Sequence, residues 1–152
     1  MNQNELKSES KPKAQFLSFD MDSHLSVLIA EDDDEMRKLL VDAFCAEGYN
    51  VTECRTGVEF LLKLEPLVLR ESRVNYDIIV SDIRMPGVTG LEILEDLHER
   101  DELPPVILIT AFGDSETHAQ AKRFGAAAIF DKPFEMDTLL AKAREIMPFS
   151  RL

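Results

Sequence analysis

Residues 27–34 have the sequence VLIAEDDD, in which an apolar run is followed directly by a block of acidic residues. A short, continuously apolar run is typical of a strand that is covered on both faces of a parallel sheet. The apolar residues that come next recur at helical spacing, and they are Met36, Leu39, Leu40, Ala43 and Phe44. Gly48 predicts the end of this helix. The stretch therefore predicts a strand, a turn rich in carboxylates and an amphipathic helix.

The same alternation of strand and helix continues along the rest of the chain. Four further strands are predicted, at 49–54, 78–80, 106–109 and 127–130. A helical pattern follows each of them: from Val58 with an interruption or kink at Pro66, from near Gly90, over 115–124 and over 136–147. Five strand–helix pairs predict an α/β protein with a parallel sheet and helices on both faces. Right-handed crossovers make this architecture a doubly wound fold.

Length and charge limit the classes of protein to consider. The chain has 152 residues, with 17 Lys and Arg against 29 Asp and Glu, a net charge of −12. We expect a flexible leader at 1–24, which is rich in Asn, Gln, Ser, Lys and Glu, then one domain at 25–148 and a short tail at 149–152. Such an acidic surface argues against direct binding to nucleic acid or to anionic lipid.

The lengths of the apolar runs and the spacing of the cysteines both indicate a cytoplasmic protein. No apolar run approaches the roughly 20 residues that a membrane-spanning helix needs. Cys45 and Cys54 have neither metal-binding nor redox spacing, which indicates reduced cysteines. The sequence therefore predicts a cytoplasmic protein that does not enter the membrane.

Polar side chains stand where the predicted strands end. Glu31 and Asp32 follow the first strand, Asp82 the third, Thr110 the fourth and Lys132 the fifth. In an open parallel sheet, ligands bind beyond the carboxyl ends of the strands. We therefore expect three carboxylates, a hydroxyl and an ammonium group to face one pocket.

This set of groups suits a metal ion and a phosphoryl group. Crowded carboxylates repel one another and attract a cation, and Mg²⁺ prefers oxygen ligands while it keeps several waters. Lys132 supplies a positive charge for a phosphoryl group, and Thr110 supplies a hydrogen-bond donor. An aspartate in such a site can act as the nucleophile and form an aspartyl phosphate.

Four motifs in this order resemble the receiver domain of bacterial response regulators. They are LIAEDD at 28–33, DIRMP at 82–86 with Gly90, ITA at 109–111 and DKPF at 131–134. The resemblance covers about 27–147 and implies a flavodoxin-like sheet of five parallel strands in the order 2-1-3-4-5. It also implies a signalling phosphoacceptor rather than an enzyme, because such a domain catalyses only its own phosphorylation and dephosphorylation.

The resemblance assigns roles to the residues at the first and third strand ends. Asp82 is expected to be the phosphoacceptor and a ligand of Mg²⁺. Asp32 is expected to bind the ion directly and Glu31 through a water molecule. The backbone carbonyl of Arg84 is expected to be a further ligand.

The resemblance also implies how the signal enters and leaves. Thr110 is expected to move onto the phosphoryl group and Lys132 to pair with it, with a cis bond between Lys132 and Pro133. The phosphoryl donor is expected to be a sensor histidine kinase or a histidine phosphotransfer protein. A downstream protein is expected to bind the face formed by the fourth helix, the fifth strand and the fifth helix.

The chain departs from the family pattern at a position associated with switching. The family usually has Tyr or Phe three residues before the Lys, where this chain has Ile129. The aromatic residue comes one position later, at Phe130, and alternation along a strand places that side chain on the opposite face. The rotation of an aromatic side chain is therefore not expected to operate here in its usual form.

Two further features concern the surroundings of the site. The segment between Gly57 and Asp82 is longer than the family pattern, which predicts an extended second helix or a longer loop at 67–73 with a local apolar surface at 67–69. The positions that tune phosphate lifetime in the family correspond to Arg84 and Phe112. We expect the bulky Phe112 to hinder an attacking water molecule.

Other functions were weighed against this interpretation. A haloacid-dehalogenase-like phosphatase needs a second Asp two residues after the nucleophile, where this chain has Arg84. A calcium-binding loop at 32–35 lacks the glycine that its sharp turn needs. A pseudo-receiver that binds partners without phosphate stays open because of Ile129, as does the N-terminal part of a longer regulator. No role is assigned to the three histidines, which are His24, His98 and His118.

Overall fold

The computed structural model describes residues 24–68, 76–98 and 104–147. Its five strands are β1 (Ser26–Ala30), β2 (Asn50–Cys54), β3 (Ile78–Asp82), β4 (Val106–Thr110) and β5 (Ala128–Asp131). All neighbouring strands are parallel, and the order across the sheet is β2-β1-β3-β4-β5. The predicted fold class and strand order are therefore confirmed.

Five helices connect and follow the strands. They are α1 (Asp34–Ala46), α2 (Gly57–Val68), α3 (Gly90–Leu97), α4 (Ser115–Arg123) and α5 (Met136–Ile146). In the part of the chain that the structure describes, no helix has the length and apolar character needed to cross a membrane. The predicted leader and tail lie almost entirely outside the described residues, so both stay predictions.

The predicted interruption of the second helix is not observed, because α2 continues through Pro66 to Val68. A proline removes one hydrogen bond of the helix and its ring crowds the preceding turn, so the burial of Phe60 and Leu64 in the core is the contribution that can offset this cost. The extension of this helix to Val68 agrees with a longer second helix. The remainder of the predicted longer segment, residues 69–73, lies outside the described residues.

The core forms two layers, one on each face of the sheet. Side chains alternate along β1, so that Leu28 packs in the layer with α2 and α3 while Ile29 packs in the layer with α1 and α5. Both side chains are fully buried. A strand that is covered on both faces needs apolar residues at every position, which explains the continuous run in the sequence.

The five helices begin at the same edge of the sheet, and four of them have a side-chain cap, which is Thr56 for α2. Asp33 Oδ1 accepts from the backbone N–H of Met36 at 2.8 Å in α1. Thr89 caps α3 and Asp114 caps α4 in the same way. The helix N-termini therefore surround the carboxyl ends of the strands, where the predicted site residues lie.

Candidate functional site

The ends of β1, β3 and β5 meet around one ammonium group. Lys132 Nζ lies 2.8 Å from Glu31 Oε1 and 3.0 Å from Asp82 Oδ2. Glu31 and Asp82 are both buried, and the Lys132 side chain is 20% exposed. The backbone N–H of Lys132 also donates to the carbonyl of Thr110 at 2.7 Å, which attaches the end of β5 to the end of β4. The structure therefore brings together the ammonium group and two of the carboxylates that the sequence predicted at the strand ends.

Three carboxylates form the acidic part of the site. Glu31, Asp32 and Asp82 each place an oxygen within 4.8 Å of the others. Asp32 is exposed, whereas Glu31 and Asp82 are buried. Hard oxygen donors with one side open to water are the arrangement that Mg²⁺ prefers. The residues present therefore fit this ion.

Backbone groups orient the two buried carboxylates. The N–H of Asp33 donates to Glu31 Oε2 at 3.1 Å, and the N–H of Arg84 donates to Asp82 Oδ1 at 3.1 Å. With Lys132 on their other oxygens, both carboxylates accept hydrogen bonds on each oxygen. The carbonyl of Arg84 as a metal ligand stays a prediction.

Burial changes the acidity of the paired groups. Burial and, to a smaller extent, a hydrogen bond shared with Asp82 together raise the pKa of Glu31 from 4.5 to about 7, and the contact with Lys132 opposes this rise. Burial alone would lower the pKa of Lys132, but its hydrogen bonds to Glu31 and Asp82 outweigh that effect and raise the pKa above the ordinary value. The site therefore holds more negative charge than one ammonium group stabilises, which favours the binding of a second cation.

Thr110 lies at the end of β4 and is almost fully buried. Its Oγ1 accepts from the backbone N–H of Phe112 at 3.1 Å. The residue also lines a cavity of about 470 Å³ together with Arg84, Phe112 and Thr117. The Arg84 guanidinium lies 4.7 Å from the centre of the Phe112 ring, so the two side chains stack beside the site. Space is therefore available for the Thr110 side chain to change position.

The alternation predicted at the end of the sheet is observed. Ile129 packs against the core layer of α2 and α3, and Phe130 packs against the opposite layer. The Phe130 ring lies 6.1 Å from the ring of Phe134 on that opposite side. Phe130 therefore does not occupy the position of the family's aromatic residue. The cis bond between Lys132 and Pro133 is confirmed.

The acidic run at the start of α1 does not form a calcium-binding loop. Asp33 caps the helix, and Asp34 and Glu35 lie within its first turn. Asp34 forms an ion pair with Arg37 one turn later. The alternative of a calcium-binding loop at 32–35 is therefore wrong, because Asp34 and Glu35 belong to a helix and Asp33 caps it.

Sequence reasoning missed two side chains near the site. Arg37 is buried and donates to the backbone carbonyl of Glu31 at 2.9 Å. His118, to which no role was assigned, lies with Nε2 2.8 Å from Asp131 Oδ1, next to Lys132. The spacing of Asp34 and Arg37 on one helix face was a usable signal for the first. The contact of His118 depends on how α4 packs against β5, and no local sequence pattern predicts that packing.

The raised pKa of Glu31 predicts a pH dependence that a Glu31→Gln variant isolates. The unfolded chain releases this proton near pH 4.5, whereas the folded protein keeps it until about pH 7. Between these values the folded state binds more protons, so stability falls as the pH rises. In Mg²⁺-free buffer we expect wild type to lose up to about 3 kcal/mol relative to Glu31→Gln across this range.

Urea unfolding at a series of pH values measures this difference. Subtracting the Glu31→Gln profile removes the contributions of all other titrating groups. Parallel profiles for the two proteins would contradict the raised pKa, and a wild type that gains stability relative to Glu31→Gln as the pH rises would mean that the pKa is lowered instead.

Comparison with known proteins gives a consistent set of similarities. A family model described as the response regulator receiver domain matches residues 27–144. Sporulation initiation phosphotransferase F of Bacillus subtilis is 31% identical over 122 residues, which cover 80% of this chain and 93% of that protein. The C4-dicarboxylate transport transcriptional regulatory protein DctD of Pseudomonas aeruginosa is 37% identical over 131 residues, 86% of this chain. This chain spans 27% of the length of DctD.

The fold has similar solved structures. A response regulator receiver domain protein (CheY-like) from Methanospirillum hungatei has a TM-score of 0.74 and 26% sequence identity. The similarity covers 85% of this chain and 98% of that chain. Sequence and structure comparisons therefore agree over the same part of the molecule.

Proposed function

The chain belongs to the response regulator receiver domain family, and from this premise we propose that it accepts a phosphoryl group on Asp82 in a Mg²⁺-dependent reaction. The observation that carries the proposal is the contact of Lys132 Nζ with both Asp82 and Glu31 within a cluster of three carboxylates. Phosphoryl transfer requires positioning and charge neutralisation more than covalent chemistry from the protein. The family is a signalling family, which does not support the alternative of a phosphatase.

The proposed reaction begins with the Asp82 carboxylate as nucleophile. One of its oxygens attacks the phosphorus of a phosphohistidine on a sensor histidine kinase or a histidine phosphotransfer protein. The new O–P bond forms as the P–N bond breaks, and the electron pair of that bond stays on the imidazole. Lys132 lies 3.0 Å from Asp82 Oδ2 and stabilises the added negative charge. The product is an aspartyl phosphate.

The same strand ends provide the proposed ligands of the ion. Asp32 and Asp82 would bind Mg²⁺ directly, Glu31 through a water molecule and Arg84 through its backbone carbonyl. When bound, the ion supplies positive charge that neutralises the transferring phosphoryl oxygens. The exposure of Asp32 leaves this side of the site accessible to a phosphoryl donor.

Output is proposed to follow from the two residues that contact the phosphoryl group. Its charge would attract Thr110 and Lys132, which lie at the ends of β4 and β5. A shift of these residues changes the relative stability of two arrangements of the α4–β5–α5 face. A downstream protein that binds one arrangement more tightly then receives the signal. We propose that these steps take place in the cytoplasm, without direct contact to nucleic acid.

Incubation with acetyl phosphate tests the proposal, with intact mass as the readout in Mg²⁺ and in EDTA. We expect the addition of one phosphoryl group that requires Mg²⁺, and saturable binding of beryllofluoride under the same conditions. The absence of both would favour the second candidate, a pseudo-receiver that binds partners without phosphate. The observation that supports this second candidate is Ile129 at the usual aromatic position.

Removal of the Phe112 ring is expected to shorten the lifetime of the phosphorylated state. The side chain is 64% exposed and stacks with Arg84 beside the site, where it restricts the approach of water. We expect hydrolysis about two- to fivefold faster in Phe112→Ala, which corresponds to a barrier lower by about 0.5–1 kcal/mol. Decay of the phosphorylated mass after removal of acetyl phosphate measures this rate. Leu62→Ala, which removes a side chain of 61% exposure from α2, is the matched control. Equal lifetimes for wild type and Phe112→Ala would contradict the expectation.

A further inference from the structure

Arg37 is a buried cation that the proposed phosphoryl transfer does not use. Its side chain is 6% exposed although it belongs to the first half of α1. The guanidinium Nη1 donates to the carbonyl of Glu31 at 2.9 Å, and Nε donates to Glu53 Oε1 at 3.2 Å. A third contact joins Nη2 to Asp34 Oδ1. One side chain thus connects the end of β1, the start of α1 and the edge strand β2.

The hydrogen bond from Arg37 to the Glu31 carbonyl also affects the orientation of the next residue, Asp32. A peptide group is planar, so the carbonyl of Glu31 and the N–H of Asp32 share one plane. Arg37 orients that plane from one side, and the N–H of Glu31 donates to the carbonyl of Cys54 at 3.1 Å on the preceding peptide. The backbone that carries the exposed Asp32 carboxylate is therefore positioned by Arg37.

The burial of Arg37 is expensive unless its charge is compensated. A guanidinium removed from water requires paired carboxylates or hydrogen-bond acceptors, and Asp34, Glu53 and the Glu31 carbonyl supply them. An ion pair that served only to stabilise the helix start could remain on the surface, as that of Lys38 with Asp42 does at 3.0 Å. The additional bond to the carbonyl distinguishes Arg37 from such a pair.

We propose that Arg37 is a positioning residue for the Mg²⁺ site, which it serves by orienting the Glu31–Asp32 peptide group. This inference rests on the proposed function, because it assumes that Asp32 binds the ion. Residues that orient the ligands of a metal affect its affinity about 10- to 100-fold when they are removed. Because Arg37 acts on one ligand through the backbone, we expect an effect near the lower end of that range.

Charge and positioning predict opposite results for the removal of Arg37. A positive charge near the site repels a cation, so its loss alone would tighten Mg²⁺ binding. Loss of the orienting hydrogen bond would weaken Mg²⁺ binding. The direction of the change therefore separates the two explanations.

The test is isothermal titration calorimetry, in which Mg²⁺ is added to wild type and to Arg37→Met. Methionine keeps much of the apolar volume and removes the charge and all donors. We expect the dissociation constant for Mg²⁺ to rise about tenfold. Lys38→Met is the matched control, since it removes the same charge from the exposed neighbour and is expected to leave the affinity close to that of wild type. Urea unfolding establishes that each variant is folded.

Kinetics provide a second readout that a purely structural role would not change. If Arg37 acts on metal affinity, the rate of phosphorylation of Arg37→Met by acetyl phosphate falls at low Mg²⁺ and recovers at saturating Mg²⁺. If Arg37→Met does not fold, Arg37→Lys takes its place in the same Mg²⁺-binding measurement. Its charge is unchanged, and its single ammonium cannot reproduce the three directions of the guanidinium, so we expect weaker Mg²⁺ binding here also.

The outcomes distinguish this inference from the proposed function. If wild type binds no Mg²⁺, the proposed function fails and the inference fails with it. If wild type binds Mg²⁺ while the folded Arg37 variant binds it equally or more tightly, only the role of Arg37 is overturned. An equal loss in Lys38→Met would also overturn it, since Lys38 makes no hydrogen bond to the Glu31 carbonyl and the weakening would then not depend on that bond.

Discussion

Asp82→Asn is expected to accept no phosphoryl group from acetyl phosphate at any Mg²⁺ concentration. An amide oxygen is not a nucleophile of comparable strength, and the substitution removes one of the three carboxylates that lie within 4.8 Å of one another. Asparagine has the same shape as aspartate and can still accept from the N–H of Arg84, so we expect the variant to fold. The expected loss is complete, because the proposed reaction has no other acceptor.

Intact mass after incubation with acetyl phosphate measures this result. Asp42→Asn is the control, because Asp42 is exposed on α1 and pairs only with the neighbouring turn. Wild type and Asp42→Asn should be modified to the same extent. Modification of Asp82→Asn would mean that another residue is the acceptor, and peptide mapping would identify it.

Lys132→Met is expected to lower the free energy of unfolding by about 3 kcal/mol at pH 8 in EDTA. Removal of the ammonium group leaves two buried carboxylates, Glu31 and Asp82, without their shared cation. Unpaired buried charge is among the few causes of a loss this large from a single substitution. Added Mg²⁺ should restore part of the stability, because it would supply positive charge to the same carboxylates.

Urea unfolding with and without Mg²⁺ measures both parts of this expectation. Lys142→Met is the matched control, since Lys142 forms a surface ion pair with Glu145 at 3.5 Å, and such a pair contributes about 0–1 kcal/mol. Equal stabilities of wild type and Lys132→Met would show that the two carboxylates are not charged together. If Mg²⁺ changes the stability of neither protein, the acidic cluster is not the site where the ion binds.

Hydrophobic pattern was sufficient to predict the doubly wound α/β class, whereas the strand order was predicted from the resemblance to a family. The run from Val27 to Ala30 is buried on both faces of the sheet, and this burial is the physical reason for a pattern without polar positions. The ends of the strands were predicted less accurately. The fifth strand is observed one residue later than predicted, at Ala128–Asp131, because hydrogen bonding to β4 and not hydrophobicity determines its limits.

The candidate site was predictable to the extent that it depends on topology. Parallel strands place their carboxyl ends at one edge, so Asp82 and Lys132 could be expected to meet before any distance was known. The contacts of Arg37 and His118 were not predictable in this way, since each depends on how a helix packs against a strand. The roles of the individual site residues remain predictions that the experiments above address.

The contact between Glu31 and Lys132 joins residues 101 positions apart, and this separation has a consequence for the timing of folding. Closing so long a loop is entropically unfavourable until the intervening strands have assembled. A chain emerging from the ribosome contains all three carboxylates before β5 exists, and at that stage it lacks the ammonium group. Under the proposed function, competence to receive a phosphoryl group would therefore be acquired last, when the sheet is complete. A signalling partner that phosphorylates Asp82 as proposed would consequently discriminate against unfinished or partly unfolded copies without any separate recognition of the folded state.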